Sequence, residues 1–177
     1  RELTTAECLR ELNLGSLDAV LLALPIADAG LHVEPLFIED FILALPANHE
    51  NYADLRAQHA ISPKQLPLDD LLLLEEGHCL RDQALAACGL LAHQQQAAFK
   101  ATSLETIRQM VALGVGCTLL PALAAHPHPM LSLKSFVEPV PSRQIGLVSR
   151  AKFARNETII LLAALLRANL PPATHHL

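Results

Sequence analysis

The sequence contains no tryptophan, and only 3% of its residues are aromatic, so a folded core must be built from aliphatic side chains. Hydrophobic residues make up 51% of the 177 positions and charged residues 18%. This composition excludes an intrinsically disordered chain, because disorder requires low hydrophobicity and high net charge. A folded chain of this length buries roughly 70% of the surface that its unfolded form exposes. We therefore expect one large domain or two small lobes.

Long apolar runs and runs of basic residues are also missing. The longest apolar run covers residues 159–166, and it is too short to cross a bilayer, which requires about 20 residues. The 13 lysines and arginines are scattered over a chain of net charge -5, whereas a duplex-binding surface needs clustered basic side chains. We expect no contact with membranes and no direct binding of nucleic acid. No signal-peptide pattern follows Arg1, and the absence of an initiating methionine predicts a fragment of a longer protein.

Cysteine is sparse, with four residues: Cys8, Cys79, Cys88 and Cys117. A chain of this length does not need disulfides to fold, and nothing marks it as secreted. We predict a cytoplasmic protein with reduced thiols. A disulfide in such a protein would act as a signal rather than as a permanent crosslink.

Short apolar segments alternate with helical patterns, which predicts an α/β fold with mostly parallel sheets. Thr4 and Glu7 have the spacing of a capping box at the start of a helix. Residues 18–24, which are apolar after Asp18, predict a parallel strand buried on both faces. Residues 31–37 and 40–45 are predicted as two further strands.

The residue composition changes near Pro46 and again near Pro141, which predicts that the chain crosses twice between two lobes. We predict a first lobe made of residues 1–45 and 145–177. The second lobe is predicted from residues 46–144, and it contains the cysteine-bearing segment that carries the chemistry.

That segment, residues 75–88, has the sequence EEGHCLRDQALAAC, and a helix is predicted from Arg81 to Leu91. Over the nine residues from Cys79 to Cys88, a helix advances about 13.5 Å. A disulfide needs α-carbons that lie roughly 4.4 to 6.8 Å apart. A helix and a disulfide in this segment therefore exclude each other, which is the property of a redox-driven two-state element.

Cys79 is the better candidate for a reactive thiol, because the N-terminus of a helix stabilises a thiolate and His78 and Arg81 add positive charge. Cys88 lies among apolar residues and suits a buried resolving thiol. Two alternatives stay open. Both cysteines can be small buried hydrophobes, as free cysteines usually are. Together with His78 and His93 they also offer four zinc ligands, although the spacing lacks the close pairs of compact zinc sites.

Three motifs carry a family resemblance. Residues 77–83 (GHCLRDQ), followed by Cys88, resemble the peroxide-sensing motif of one branch of the LysR-type transcriptional regulators. Residues 101–107 (ATSLETI) and 116–122 (GCTLLPA) resemble the effector domain of the wider family. The resemblance extends over nearly the whole chain. It implies two Rossmann-like lobes of the periplasmic-binding-protein type, truncated at the N-terminus, with a winged helix-turn-helix domain that precedes this segment.

The resemblance implies that hydrogen peroxide oxidises Cys79, the peroxidatic thiol, and that Cys88 resolves the product as a disulfide. It places four side chains at the peroxide pocket: Thr5, His78, Asp82 and Arg143. It also implies homodimers or homotetramers, contacts with DNA and RNA polymerase through the full-length protein only, reduction by thiol proteins, and no cofactor or metal. Cys117 departs from the family, in which this position is more often another residue, and the loop of residues 51–61 is longer than usual.

Two other functions compete with this one. A LysR-type sensor of a small metabolite would bind its ligand between the lobes, near Thr5, Thr102 and Ser103. Thr102 is, however, predicted as the N-cap of a helix from Ser103 to Leu113, and that apolar helix is also a candidate for self-association. A thiol peroxidase is disfavoured because no peroxiredoxin-like Thr-x-x-Cys motif lies near an early predicted strand, so we predict that the chain is not an enzyme.

Overall fold

The computed structural model describes residues 1, 3–26, 30–75, 79–89, 100–101, 103–151 and 156–176. The chain is divided into two units. The terminal unit combines Arg1–Glu39 with Arg143–Leu177, and the central unit is Asp40–Ser142. The helices are α1 (Thr5–Leu14), α2 (Ala53–Ala57), α3 (Cys79–Ala87), α4 (Leu104–Ala112) and α5 (Asn156–Ala168). The strands are β1 (Ala19–Leu24), β2 (Leu31–Pro46), β3 (Ala60–Ile61), β4 (Leu73–Leu74), β5 (Lys100–Ala101), β6 (Thr118–Pro121), β7 (Leu131–Phe136), β8 (Ser142–Arg150) and β9 (Thr174–His175).

The terminal unit packs α1 on a sheet in which β8 lies between β1 and β2. The capping box predicted for α1 is present: the Thr4 hydroxyl accepts from the Glu7 backbone N–H, and the Glu7 carboxylate accepts from the Thr4 backbone N–H at 2.9 Å. Five buried side chains of α1, β1 and β8 form the core of this unit: Cys8, Leu12, Val20, Leu22 and Val148.

The central unit has a sheet with an apolar core on each face. Because side chains alternate along a strand, β2 sends Phe41 and Leu43 into one buried cluster and Ala44 into the other. Helix α3 packs on the first cluster through Leu85, and α4 packs on the second through Val111. The central unit is therefore a helix–sheet–helix sandwich.

The directions of the strands differ from the sequence prediction. Strand β1 pairs antiparallel with β8, and β2 pairs antiparallel with β6, β7 and β9, whereas β3 with β7 and β4 with β5 are parallel. The prediction of mostly parallel sheets is therefore wrong for the described part of the chain. Strand β1 pairs antiparallel with β8, and its Leu21 is 55% exposed, so it is not buried on both faces. An apolar run shows that a strand forms but contains no information about its partner.

The two strands predicted at 31–37 and 40–45 are one continuous strand, β2. Ile38 pairs with His175 and Glu39 with Thr174, and this pairing keeps the backbone extended through the expected break. The compact units divide after Glu39 and after Ser142, whereas the predicted lobes divide after residues 45 and 144.

Gly116 allows the close approach of two segments: residues 70–72, just before β4, and Cys117, just before β6. The backbone N–H of Leu72 donates to the Cys117 carbonyl at 2.8 Å, and the N–H of Cys117 donates to the Asp70 carbonyl at 3.0 Å. A Cβ atom at Gly116 would lie 2.3 Å from the Asp70 carbonyl oxygen. Any larger residue must push the two segments apart.

We expect Gly116→Ala to lower the free energy of unfolding by about 3 kcal/mol, because overpacking forces the backbone to shift. Gly89→Ala is the control: no atom lies within 4 Å of its Cβ position, but its φ of 72° is left-handed, which costs an alanine about 1 kcal/mol. Urea denaturation of both variants measures the difference. Equal losses would contradict the steric argument.

Candidate functional site

Helix α3 has a cysteine at each end. It begins at Cys79 and ends at Ala87, and Cys88 follows directly. The prediction placed this helix from Arg81 to Leu91, so the helix begins two residues earlier and ends four residues earlier than expected.

The backbone still follows the helix at Cys88. Its N–H donates to the Ala84 carbonyl at 3.2 Å. Gly89 then adopts a left-handed φ of 72°, which ends the helical path. The backbones of Cys79 and Cys88 are thus separated by the full length of α3.

The inner face of α3 is anchored in the first core cluster. Leu85 is completely buried there, with Ala84 beside it, and Cys88 is half-buried against the same cluster. The Cys88 thiol is free, and burial raises its pKa to about 11. At neutral pH it is therefore protonated and a poor nucleophile.

The two cysteines outside this segment are also held as thiols. Cys117 is completely buried, and burial followed by the Asp70 carboxylate raises its pKa to about 12. Burial also raises the pKa of Cys8, whose Sγ lies 3.9 Å from the Leu3 carbonyl oxygen. The side chain of Cys79 lies outside the described part of the structure, so its low thiol pKa stays a prediction.

Arg81 is a buried cation on α3, with 6% of its surface exposed. It lines a cavity of about 10 Å³ together with side chains of β4, α4 and β6. This volume corresponds to roughly one water molecule, whereas ligand pockets for small organic molecules measure roughly 300 to 1,000 Å³. The cavity beside α3 therefore does not fit a metabolite.

The four residues that the resemblance assigns to a peroxide pocket are distributed over both units. Thr5 is the half-buried first residue of α1, and Asp82 is exposed in the first turn of α3. Arg143, on β8, donates from Nε at 2.8 Å and Nη2 at 2.7 Å to Oε2 of the buried Glu39. His78 lies outside the described residues. Sequence reasoning missed Glu39, whose one signal was a carboxylate inside an otherwise apolar strand.

The residue that caps α4 differs from the prediction. Ser103 is the N-cap, with extended backbone angles, and its hydroxyl accepts from the Thr106 N–H at 3.1 Å. The prediction that Thr102 caps the helix is therefore wrong, because the first helical residue is Leu104. Thr102 itself lies outside the described residues.

Within the residues that the structure describes, no group of three or more His, Cys, Asp or Glu side chains is placed to hold a metal ion. The zinc alternative depends on His78 and His93, which lie outside this part of the chain. None of the helices described for the chain combines the length and the apolar character needed to span a membrane.

The comparisons with known proteins agree on one protein family. The model of the LysR substrate binding domain matches residues 1–171. A probable hydrogen peroxide-inducible genes activator from Mycobacterium avium is 42% identical over 166 residues, which cover 92% of this chain and 52% of the relative. The chain thus spans about half the length of the curated relatives that it matches.

Solved structures agree with this match. The reduced regulatory domain of OxyR from Pseudomonas aeruginosa is 38% identical, with a TM-score of 0.78, over 94% of this chain and 80% of that chain. A cysteine-to-serine mutant of OxyR from Corynebacterium glutamicum, solved with H₂O₂ bound, is 32% identical, with a TM-score of 0.81, over 94% of this chain and 53% of that chain. The predicted α/β fold of two Rossmann-like lobes is confirmed.

We expect iodoacetamide at pH 7.5 to label Cys79 before Cys8, Cys88 and Cys117. A thiol with a pKa near 11 is ionised in only about one molecule in 3,000 at that pH, and labelling of Cys88 should rise steadily as the pH approaches 11. Mass mapping after timed quenching measures each site. In urea all four thiols should react alike, which is the control. Equal labelling of all four in the folded protein would contradict an activated Cys79.

Proposed function

Because the chain belongs to the LysR substrate-binding domain family, we propose that it is the peroxide-sensing regulatory part of a transcription factor. The similarity to hydrogen peroxide-inducible activators and to OxyR regulatory domains supports this function. DNA binding and contact with RNA polymerase then belong to the full-length protein. The chain acts as a cytoplasmic regulator rather than an enzyme, and needs no cofactor or membrane.

The separation of the two cysteines by α3 carries the proposal. A helical path from Cys79 to Cys88 advances about 13.5 Å, roughly twice the largest α-carbon separation that a disulfide tolerates. The Cys88 thiol is free in this helical state, which corresponds to the reduced sensor. A Cys79–Cys88 disulfide requires that α3 unfolds, so oxidation becomes a change of structure.

The chemistry takes two balanced steps. The Cys79 thiolate attacks one oxygen of hydrogen peroxide, the O–O bond breaks, and the departing hydroxide is protonated to water. The sulfur has then become a sulfenic acid. The Cys88 thiol attacks this sulfur, its proton and the sulfenic hydroxyl leave as water, and the disulfide forms. A thiol protein reduces the disulfide and restores the helix.

Four side chains are proposed to orient the peroxide near Cys79: Thr5, His78, Asp82 and Arg143. Thr5 and Asp82 supply short polar groups, and Arg143 supplies N–H donors that stabilise the developing hydroxide. His78 and Asp82 lie within the peroxide-sensing motif of residues 77–83, Arg143 is assigned from the separate match of residues 142–147, and Thr5 from the wider resemblance.

Two energy terms of the proposed switch are of similar size. Exposure of the fully buried Leu85 costs about 1.5 to 3 kcal/mol. In the chain-entropy model, closing a loop of this length by a disulfide contributes about 3 kcal/mol. The packing lost when the helix opens is therefore of the same order as the chain-entropy term of the crosslink, so neither term dominates the proposed switch.

Self-association into homodimers or homotetramers is part of the proposal. Helix α4 was expected to offer an apolar surface for self-association. Its Ile107 and Val111 are instead buried in the core of the central unit. An interface on α4 would instead use polar side chains and Leu113, which is 81% exposed.

We expect multi-angle light scattering to find a dimer or larger assembly, and Leu113→Ser to shift it towards monomer. Leu14→Ser, which removes a leucine that is 71% exposed in the terminal unit, is the matched control. A wild-type protein that stays monomeric in both redox states would contradict self-association.

We expect hydrogen exchange in residues 79–88 to accelerate when peroxide is added, because the disulfide removes the helical hydrogen bonds. Cys88→Ser should stop at the sulfenic acid and keep the protection of wild-type reduced protein. Exchange in α1, far along the sequence, serves as the internal control.

Unchanged protection across α3 in a protein whose Cys79 is fully oxidised would show that this helix is not the switch. In that case the alternative function, binding of a small metabolite near Thr5, Thr102 and Ser103, becomes the better hypothesis.

A further inference from the structure

Glu39 is a charged residue in an unusual place. Its side chain is 1% exposed, and it lies on β2, where its backbone pairs with Thr174 of β9. A carboxylate loses several kcal/mol of hydration when it is buried. Such a group is retained only where a partner compensates it, and here the partner is the guanidinium of Arg143.

The contact fixes one edge of that guanidinium. Two of its five N–H donors, on Nε and Nη2, converge on Oε2 of Glu39 at 2.8 and 2.7 Å. Charge-assisted bonds of this kind are short and directional. They determine the direction in which the rest of the planar group points, because an arginine side chain otherwise has many rotamers.

The side chains of Arg143 and Glu39 differ in their exposure to solvent. The side chain of Arg143 is 19% exposed, whereas that of Glu39 is 1% exposed. A small solute can therefore reach Arg143 but has almost no access to Glu39. We therefore expect an effect of Glu39 on the reaction to act through the arginine.

We propose that Glu39 is a positioning residue that holds Arg143 in the orientation needed to bind peroxide and stabilise the departing hydroxide. This inference rests on the proposed function, in which Arg143 lines the peroxide pocket. Positioning of a donor by a second, buried group is effective because misplacement by about 1 Å can cost on the order of 100-fold in rate.

The test compares two reactions of the same thiol in the purified protein. Oxidation of Cys79 by hydrogen peroxide needs an oriented peroxide, whereas alkylation by iodoacetamide needs only an accessible thiolate. We expect Glu39→Gln to slow oxidation by about tenfold or more and to leave alkylation unchanged. Glu39→Asp keeps the charge and should give an intermediate rate of oxidation.

A double-mutant cycle tests whether Glu39 acts through Arg143. Arg143→Gln should slow oxidation, and adding Glu39→Gln to it should slow oxidation no further. If circular dichroism shows that Glu39→Gln does not fold, the test uses Glu39→Asp. In that variant the rate of Cys79 oxidation must fall while the rate of Cys79 alkylation stays at the wild-type value.

Three results would overturn the positioning role while leaving peroxide sensing in place: oxidation at the wild-type rate in a folded Glu39 variant, an equal fall in oxidation and alkylation, or a further loss in the double mutant. A wild-type protein whose Cys79 resists peroxide would overturn the proposed function and this inference together.

Discussion

The length of helix α3 is the constraint on which the proposed sensing mechanism depends. A helix that starts at Cys79 and continues to the backbone of Cys88 holds the two backbones roughly 13.5 Å apart. No rearrangement of side chains can close that gap. A Cys79–Cys88 bond and the helix therefore compete for the same residues. In the proposed mechanism, the redox state of the two sulfur atoms decides whether the helix is present.

The packing of α3 determines what its loss would do to the rest of the central unit. The sheet has a core on each face, and Leu80 packs against both clusters, including the one that contains Val111 of α4. Unfolding of α3 would remove Leu85 from one core and a supporting contact from the other. Because cores are densely packed and respond to the loss of single groups, both faces of the sheet are sensitive to the state of one helix.

The sequence predicted local features well, because these depend on neighbouring residues. The capping box of α1 needs only Thr4 and Glu7, three positions apart. Strand directions were mispredicted because they depend on partners that are distant in the chain: β1 pairs with β8, more than 100 residues later. The cap of α4 was misplaced by one residue, since Thr102 and Ser103 both have the right chemistry and only the backbone angles distinguish them.

The candidate site shows the same division between local and distant information. The spacing of the cysteines revealed the competition between helix and disulfide, because that argument concerns one continuous segment. The contact between Glu39 and Arg143 spans 104 positions, and no local pattern connects them. A glutamate in an apolar strand, however, has to find a cation if the strand is buried. A carboxylate in a predicted buried strand is therefore a reason to look for a distant arginine, and the chemistry of that arginine then depends on how firmly the carboxylate holds it.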